Sequence, residues 1–323
     1  MKIFVTRKIP EAGLELLKKE HEVDVYQYDR IPTKEEIIKG LKGKDGLLCL
    51  LSDPIDEEVI NSNPKLKMIS NYAVGYDNID VKAATKRGIP ISNTPGVLTD
   101  ATAEMAWALL FSVARRMVEG DSFARSGKFN GWGPMLMLGQ GVSNKTLGII
   151  GTGRIGAAVA LKSKGFEMKV LYVDEQRSEL LERELKAKKV TLPELLRNSD
   201  YVSVHVPLAK ETHHLIGENE LKMMKKSAIL INTSRGPVVD ENALAKALKE
   251  KWIFGAGLDV YEHEPEITDG LKKLDNVILQ PHSASATIET RTKMAVMAAE
   301  NMLAGLKGEI PPNCVNMDLF KKK

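Results

Sequence analysis

The run Gly151-Thr152-Gly153-Arg154-Ile155-Gly156 lies mid-chain, and Asp174 follows 18 positions beyond Gly156. That spacing dictates the fold around it. Ahead of the glycines, Lys145–Ile150 is short, apolar and β-branched, the pattern of a buried parallel strand. Behind them, Ala157, Ala158, Ala160 and Leu161 predict a helix ending at Gly165, and Lys169–Val173 a second strand ending at Asp174. The glycines therefore fall inside a βαβ unit. Gly151 permits the tight turn, Gly153 lets backbone approach a pyrophosphate, and Gly156 lets helix pack on strand. Free N–H groups and the helix dipole favour that anion. A carboxylate at Asp174 suits the adenosine ribose hydroxyls and repels a 2′-phosphate, so the expected cofactor is NAD, with NADH preferred over NADPH. Arg177, close by, weighs the other way.

A cofactor site at this position leaves a large N-terminal block to explain. With 323 residues, of which 43% are hydrophobic, the chain can fill two cores. Residues 1 to 98 alternate strand and helix: Lys2–Thr6, Pro10–Glu20, Glu22–Tyr26, Thr33–Leu41, Gly46–Leu50, Asp56–Asn61, Met68–Ser70, Val81–Arg87 and Ile89–Ile91. Thr33 and Glu36 have the spacing of a capping box. A long helix is expected from Thr99 or Asp100 toward Arg125, then a Gly/Pro/Trp segment from Gly127 to Gly141. Beyond the fingerprint the alternation resumes at Tyr201–Val206, Ala228–Asn232 and Val277–Leu279. A last helix is expected over Thr287–Leu306, and the tail Pro311–Phe320 should return to the first block. The expectation is α/β: two doubly wound parallel-sheet, Rossmann-like domains with a cleft between them. Residues 1–98 plus 287–323 would bind substrate, and 99–286 would bind NAD.

Composition narrows the class. A net charge of +3 with 28% charged residues gives no footprint for nucleic acid or anionic membrane. The run Lys321-Lys322-Lys323 reads as a solvated tail. Cys49 and Cys314 form no spaced pair, so neither disulfide nor metal is expected, and Cys49 reads as core. No apolar run is long enough to span a membrane, and the N-terminus reads as strand then helix rather than signal peptide. A cytoplasmic protein is expected.

Three polar residues each follow a predicted strand or an apolar run. Arg235 comes after Ala228–Asn232, Glu264 after Leu258-Asp259-Val260-Tyr261, and His282 after Val277–Leu279. Reduction of a 2-oxo acid needs a cation for the carboxylate, a proton donor at the carbonyl oxygen and a positioned hydride. A guanidinium suits the first by its two-pronged geometry. An imidazole suits the second, and a carboxylate on its other nitrogen would orient it and favour its protonated form. Taken singly, each residue also reads as an ordinary polar loop end. The other histidines are weaker candidates: His205 as a satisfied wall residue in a strand, His213 and His214 in a loop with no partner acid, His263 on the surface, and His21 between helix and strand.

Val74-Gly75-Tyr76-Asp77-Asn78-Ile79-Asp80, Asn93-Thr94-Pro95-Gly96, Thr102-Ala103-Glu104, the glycine fingerprint, Thr233-Ser234-Arg235-Gly236, Gly257-Leu258-Asp259-Val260, Glu264-Pro265 and Pro281-His282 together resemble the D-isomer-specific 2-hydroxyacid dehydrogenases nearly end to end. The resemblance implies Arg235 as a substrate-binding and catalytic residue, His282 as acid/base and substrate contact, and Glu264 as its partner. It implies backbone contacts from Val74 and Gly75 to the substrate carboxylate. Thr102, Arg154, Ile155, Asp174, Thr233, Ser234, Asp259 and Ala284 fall at cofactor-contact positions with the glycines and Thr152, Asp259 and Ala284 near the nicotinamide. The implied reaction is hydride transfer from the nicotinamide to the 2-carbon while His282 protonates the oxygen, giving a D-2-hydroxy acid.

Within the family, Trp132-Gly133-Pro134 and Leu138-Gly139 are similar to the glyoxylate/hydroxypyruvate reductase branch. Trp132 either reaches a partner subunit's pocket or anchors a homodimer interface. Ser283-Ala284-Ser285 departs from the family's usual Ile-Gly-Ser, so the Ala284 methyl is expected to tighten the pocket or shift the backbone. Alternatives are a D-3-phosphoglycerate or D-lactate-type dehydrogenase, or a non-catalytic NAD-sensing binding protein.

Overall fold

The computed structural model describes residues 1–321; Lys322 and Lys323 of the terminal lysine run lie outside the described residues. The chain divides into two compact units, Met1–Leu98 with the segment from Ala286 onward, and Thr99–Ser285.

The first unit is built on five parallel strands: β1 (Lys2–Val5), β2 (Glu22–Val25), β3 (Gly46–Leu50), β4 (Met68–Tyr72) and β5 (Ile91–Ser92), in the order β2-β1-β3-β4-β5. The central strand β3 is apolar on both faces because helices cover both, and its Leu47, Leu48 and Cys49 are fully buried, as is Ile69 on β4. The Lys34–Leu41 helix starts with the capping box, Thr33 Oγ1 accepting from the Glu36 amide at 3.3 Å and the Glu36 carboxylate from the Thr33 amide at 2.8 Å. The last helix, Ile288–Leu306, belongs to this unit. Its Arg291 and Ala298 carbonyls accept from the Tyr72 hydroxyl at 2.7 Å and the Ser70 hydroxyl at 2.8 Å. The tail returns to β5: Ser92 pairs antiparallel with Cys314, and Asn316 accepts from the Ile91 amide at 2.8 Å.

The second unit carries seven parallel strands: β6 (Thr146–Ile150), β7 (Lys169–Val173), β8 (Lys188–Lys189), β9 (Tyr201–Val204), β10 (Ile229–Asn232), β11 (Gly255–Leu258) and β12 (Val277–Leu279). Their order is β12-β11-β10-β9-β6-β7-β8, so the winding reverses between β6 and β9. Such a switch point opens a crevice beyond the carboxyl ends of the strands, and the glycine fingerprint leaves β6 there.

The long helix expected from Thr99 to Arg125 is two helices, Thr99–Ala114 and Met117–Arg125. Arg116 takes the left-handed conformation at φ +52°, and the Ala114 carbonyl accepts from the Gln140 amide at 2.7 Å. A helical carbonyl claimed from outside ends the ladder there, and composition gives no sign of it. The helix after the fingerprint also ends earlier as α-helix, at Lys162, and tightens into a 3-10 turn over Ser163–Phe166. The strand expected to reach Val206 stops at Val204, which puts His205 just past its end.

Candidate active site

The fingerprint turn is shaped by what it must avoid. Gly151 sits at φ +90°, and a Cβ there would lie 2.9 Å from the His205 carbonyl carbon. A Cβ on Gly156 would lie 1.9 Å from the Gly151 carbonyl oxygen, so any side chain would force the helix off the strand. Gly153 differs: a Cβ would meet no atom within 4 Å, leaving the first turn of the Arg154–Lys162 helix approachable from outside. Asp174, at the end of β7, is tied to the same turn. Its Oδ2 accepts from the Thr152 amide at 2.6 Å and hydroxyl at 2.8 Å. Burial pushes this carboxyl up, but the Thr152 bonds and neighbouring amides outweigh it and hold it below the usual carboxylate range. Nearby, the Arg177 guanidinium is engaged on both prongs by Glu182.

Two buried polar atoms near this crevice have no partner among the described residues, Thr233 Oγ1 just past β10 and His205 Nδ1 just past β9. Buried polar groups are normally satisfied, so an orphan hydroxyl at a strand's carboxyl end fits a ligand contact. With the open face over Gly153, these features fit a dinucleotide at the switch point. Thr102 is buried in the first turn of its helix, whereas Arg154 and Ile155 open the fingerprint helix. His205 is a satisfied wall residue on one nitrogen only, Nε2 to Ser203 Oγ at 2.8 Å; burial lowers its pKa to about 3, so it stays neutral.

Past β10, β11 and β12 lie the three candidate chemical groups. His282 Nδ1 is 2.8 Å from Glu264 Oε2, with about a quarter of the histidine side chain exposed (25%). Glu264 Oε1 accepts from the Tyr261 amide at 3.0 Å. Burial pushes the Glu264 carboxyl up, but the bond and charge of His282, the Tyr261 amide and the charge of Arg235 bring it below the ordinary range. Arg235 follows β10, half-buried, with Nη1 donating to the Ser234 carbonyl at 2.8 Å. The Ser234 amide and hydroxyl are both held by Asn232 Oδ1.

Asp259 has a task that the spacing did not reveal. Its buried carboxylate accepts the Ser283 amide at 2.7 Å and the Ala284 amide at 2.8 Å, which fixes the backbone straight after His282. A buried acid closing a strand was the available signal. Ala284 is buried and lies outside the positive-φ region, so its methyl is accommodated without left-handed strain. His214, read as lacking a partner acid, has one: its Nε2 lies 3.1 Å from Glu262 Oε2. The two are 48 positions apart, beyond any local pattern.

In the first unit, Val74 and Gly75 follow β4. The Ala73 carbonyl accepts from the Thr94 amide at 2.8 Å, the Val74 carbonyl from Asn93 Nδ2 at 2.7 Å, and the Gly75 carbonyl from Asn71 Nδ2 at 2.8 Å. In a planar trans peptide the N–H points opposite to the C=O. Fixing the Ala73 and Val74 carbonyls thus fixes the directions of the Val74 and Gly75 N–H groups.

Residues 107–284 match the family described as D-isomer specific 2-hydroxyacid dehydrogenase, NAD binding domain. A glyoxylate reductase of Korarchaeum cryptofilum is 56% identical over 322 residues, covering 99% of this chain and 97% of that one. A solved structure of a Thermus thermophilus protein superposes with a TM-score of 0.92 at 44% identity, covering 98% and 100% of the two chains. An NADPH-dependent glyoxylate/hydroxypyruvate reductase of Sinorhizobium meliloti has a TM-score of 0.86 at 30% identity, covering 98% and 97%. Among the described residues no helix is long and apolar enough to cross a membrane.

Proposed function

This chain belongs to the D-isomer-specific 2-hydroxyacid dehydrogenase family, and on that premise we propose that it reduces glyoxylate to glycolate, with NADH as hydride donor. The observation that carries the reading is the His282–Glu264 pair at 2.8 Å beside a dinucleotide-binding crevice.

When bound, the dinucleotide supplies a hydride to the substrate's carbonyl carbon. Arg235 binds the oxo acid, its guanidinium holding carboxylate and carbonyl oxygen in one plane. The family resemblance alone assigns the Val74 and Gly75 N–H groups to the substrate carboxylate, and the anchored Ala73 and Val74 carbonyls fix the directions of those N–H groups. Glu264 accepts the Nδ1–H of His282, which places the transferable proton on Nε2. His282 gives that proton to the carbonyl oxygen as the alcohol forms, and recovers one from solvent. Positioning and placed charge supply most of the acceleration. Gly151, Thr152, Gly153, Arg154, Ile155 and Gly156 would hold the pyrophosphate side of the cofactor. Asp174 would bind its adenosine ribose, Asp259 and Ala284 would lie near its nicotinamide, and Thr102, Thr233 and Ser234 would be further cofactor contacts.

Asp174 supports NADH over NADPH, and Arg177, whose guanidinium is already committed to Glu182, does not weigh against it. We further propose a cytoplasmic homodimer with neither nucleic acid nor membrane as partner. The test is a panel of 2-oxo acids assayed with both cofactors and compared by kcat/KM, on wild type and Asp174→Ala. Glyoxylate with NADH is expected to rank first, and Asp174→Ala to raise NADPH use relative to NADH. A wild type that prefers NADPH overturns the reading of Asp174. Failure of every small 2-oxo acid to oxidise either cofactor overturns the reductase and favours an NAD-sensing protein.

A further inference from the structure

His214 lies outside the residues assigned to the reaction, yet it joins segments that carry them. Its backbone sits at φ +50°, a left-handed conformation that a side-chain-bearing residue adopts at a cost. Its amide donates to the Pro237 carbonyl at 2.8 Å, two residues past Arg235. Its ring Nε2 lies 3.1 Å from Glu262 Oε2, two residues before Glu264. Its Nδ1 lies 4.0 Å from Asp240 Oδ2, and the His213 ring stacks on it at 4.1 Å.

Glu262 is itself locked. Its carboxylate accepts the Glu241 amide at 2.7 Å, and the Glu241 carboxylate accepts the Glu262 amide at 2.5 Å. Glu241 is buried and begins the Glu241–Lys249 helix, for which Asp240 is the N-cap. Three carboxylates, Asp240, Glu241 and Glu262, thus gather around the helix start, and the His214 ring faces two of them directly. An imidazole N–H that donates to Glu262 Oε2 partners the carboxylate oxygen that the Glu241 amide leaves free, and so ties the Tyr261–Glu264 segment to the His214 loop.

We propose that His214 is a positioning residue: it ties the segment ending in Glu264 to the loop after Arg235, and so sets how Glu264 holds His282. The proposal rests on the reductase reading above. No contact to substrate or cofactor is required of His214; it acts only through the loops it joins.

The test uses the full chain with His214→Ala, His214→Gln, Glu262→Gln and the double variant His214→Ala/Glu262→Gln. His214→Ala is expected to lower kcat/KM for glyoxylate roughly tenfold, with NADH affinity held within about twofold. His214→Gln keeps an N–H toward Glu262 and should recover most of the loss. The double variant should be no worse than His214→Ala alone, because both changes cut one link. Nitrogen-15 NMR of the histidine rings, with the His282 signal assigned by its loss in His282→Gln, gives a readout independent of turnover. A looser hold by Glu264 should move the His282 Nδ1 signal in His214→Ala. Additive losses, or an unmoved His282 Nδ1 signal, overturn the clamp. A wild type inactive on glyoxylate would sink the reductase reading, while the NMR arm would still decide the clamp.

Discussion

His282 is held on three sides by different means. Its backbone sits at φ +52°, with its amide donating to the Gln280 carbonyl at 3.0 Å. Glu264 fixes its ring, and Asp259 grips the two amides that follow. Such over-determination is what keeps a strained backbone in place at a functional site. His282→Ala is expected to lower glyoxylate reduction by about 10²–10⁴-fold, the usual worth of a general acid, while NADH binding survives. Unchanged turnover would remove His282 from the reaction. The pH dependence follows from the same pair. The Glu264 carboxyl lies below its ordinary value of 4.5. What its charge contributes is present above that value and is lost only as pH falls through the lowered one. From pH 5 upward Glu264 therefore stays charged and keeps its hold on the His282 ring. Reduction needs the imidazolium, so kcat/KM should be level on the acid side and decline as pH rises; a rate that climbs with pH contradicts this assignment. At this scale the sequence singled out Arg235, Glu264 and His282 by residue type, and the structure joins two of them, Glu264 and His282. It was silent where the role is a contact between distant positions, as with the Asp259 grip on Ser283 and Ala284 and the bond from His214 to Glu262.

Elements were legible in proportion to how much of their stability is local. The fingerprint strand and its partner are apolar and β-branched, and β7 keeps the predicted ends. β11 reads Gly-Ala-Gly-Leu and carries no strand propensity, because its composition answers to a neighbour. A Cβ on Gly257 would lie 2.9 Å from Leu109 Cβ, so the Thr99–Ala114 helix presses directly on that strand. β8 is two exposed lysines at the sheet edge, where ladder bonds rather than burial define it. The segment after the Met117–Arg125 helix shows the opposite mismatch, with apolar residues and no cover. Trp132 is 85% exposed, Met135 77%, Phe129 57% and Leu138 53%. Large apolar side chains clustered on a surface mark an interaction site, and the homodimer proposed above would cover them. Trp132→Ser is expected to weaken the dimer, read by light scattering after size exclusion across a dilution series. A wild type that is monomeric at micromolar concentration would exclude that use of the segment.

Across the whole molecule, each unit has its own buried core. The doubly wound character of both was legible because strand and helix alternate along the entire chain. All three tryptophans, at positions 107, 132 and 252, fall in the Thr99–Ser285 unit. Trp107 is buried there and donates to the Val159 carbonyl at 3.0 Å, within the helix that the fingerprint opens. Tryptophan emission therefore reports the unfolding of the dinucleotide-binding unit and not of the other. A ligand that binds only the folded state stabilises it by mass action, by about 2.7 kcal/mol at a hundred times its Kd. For a unit of this size, each kcal/mol moves the midpoint by roughly 2–4 °C. NAD⁺, chosen because it does not absorb at the tryptophan emission wavelength, should therefore raise the tryptophan-detected Tm by roughly 5–10 °C at that concentration. Asp174→Ala should blunt the shift, since the adenosine ribose would lose its carboxylate partner. A tryptophan-detected midpoint that saturating NAD⁺ leaves in place would mean that the crevice at the β6–β9 switch point does not bind the dinucleotide, and the assigned roles of Gly153, Asp174 and Thr233 would fall together.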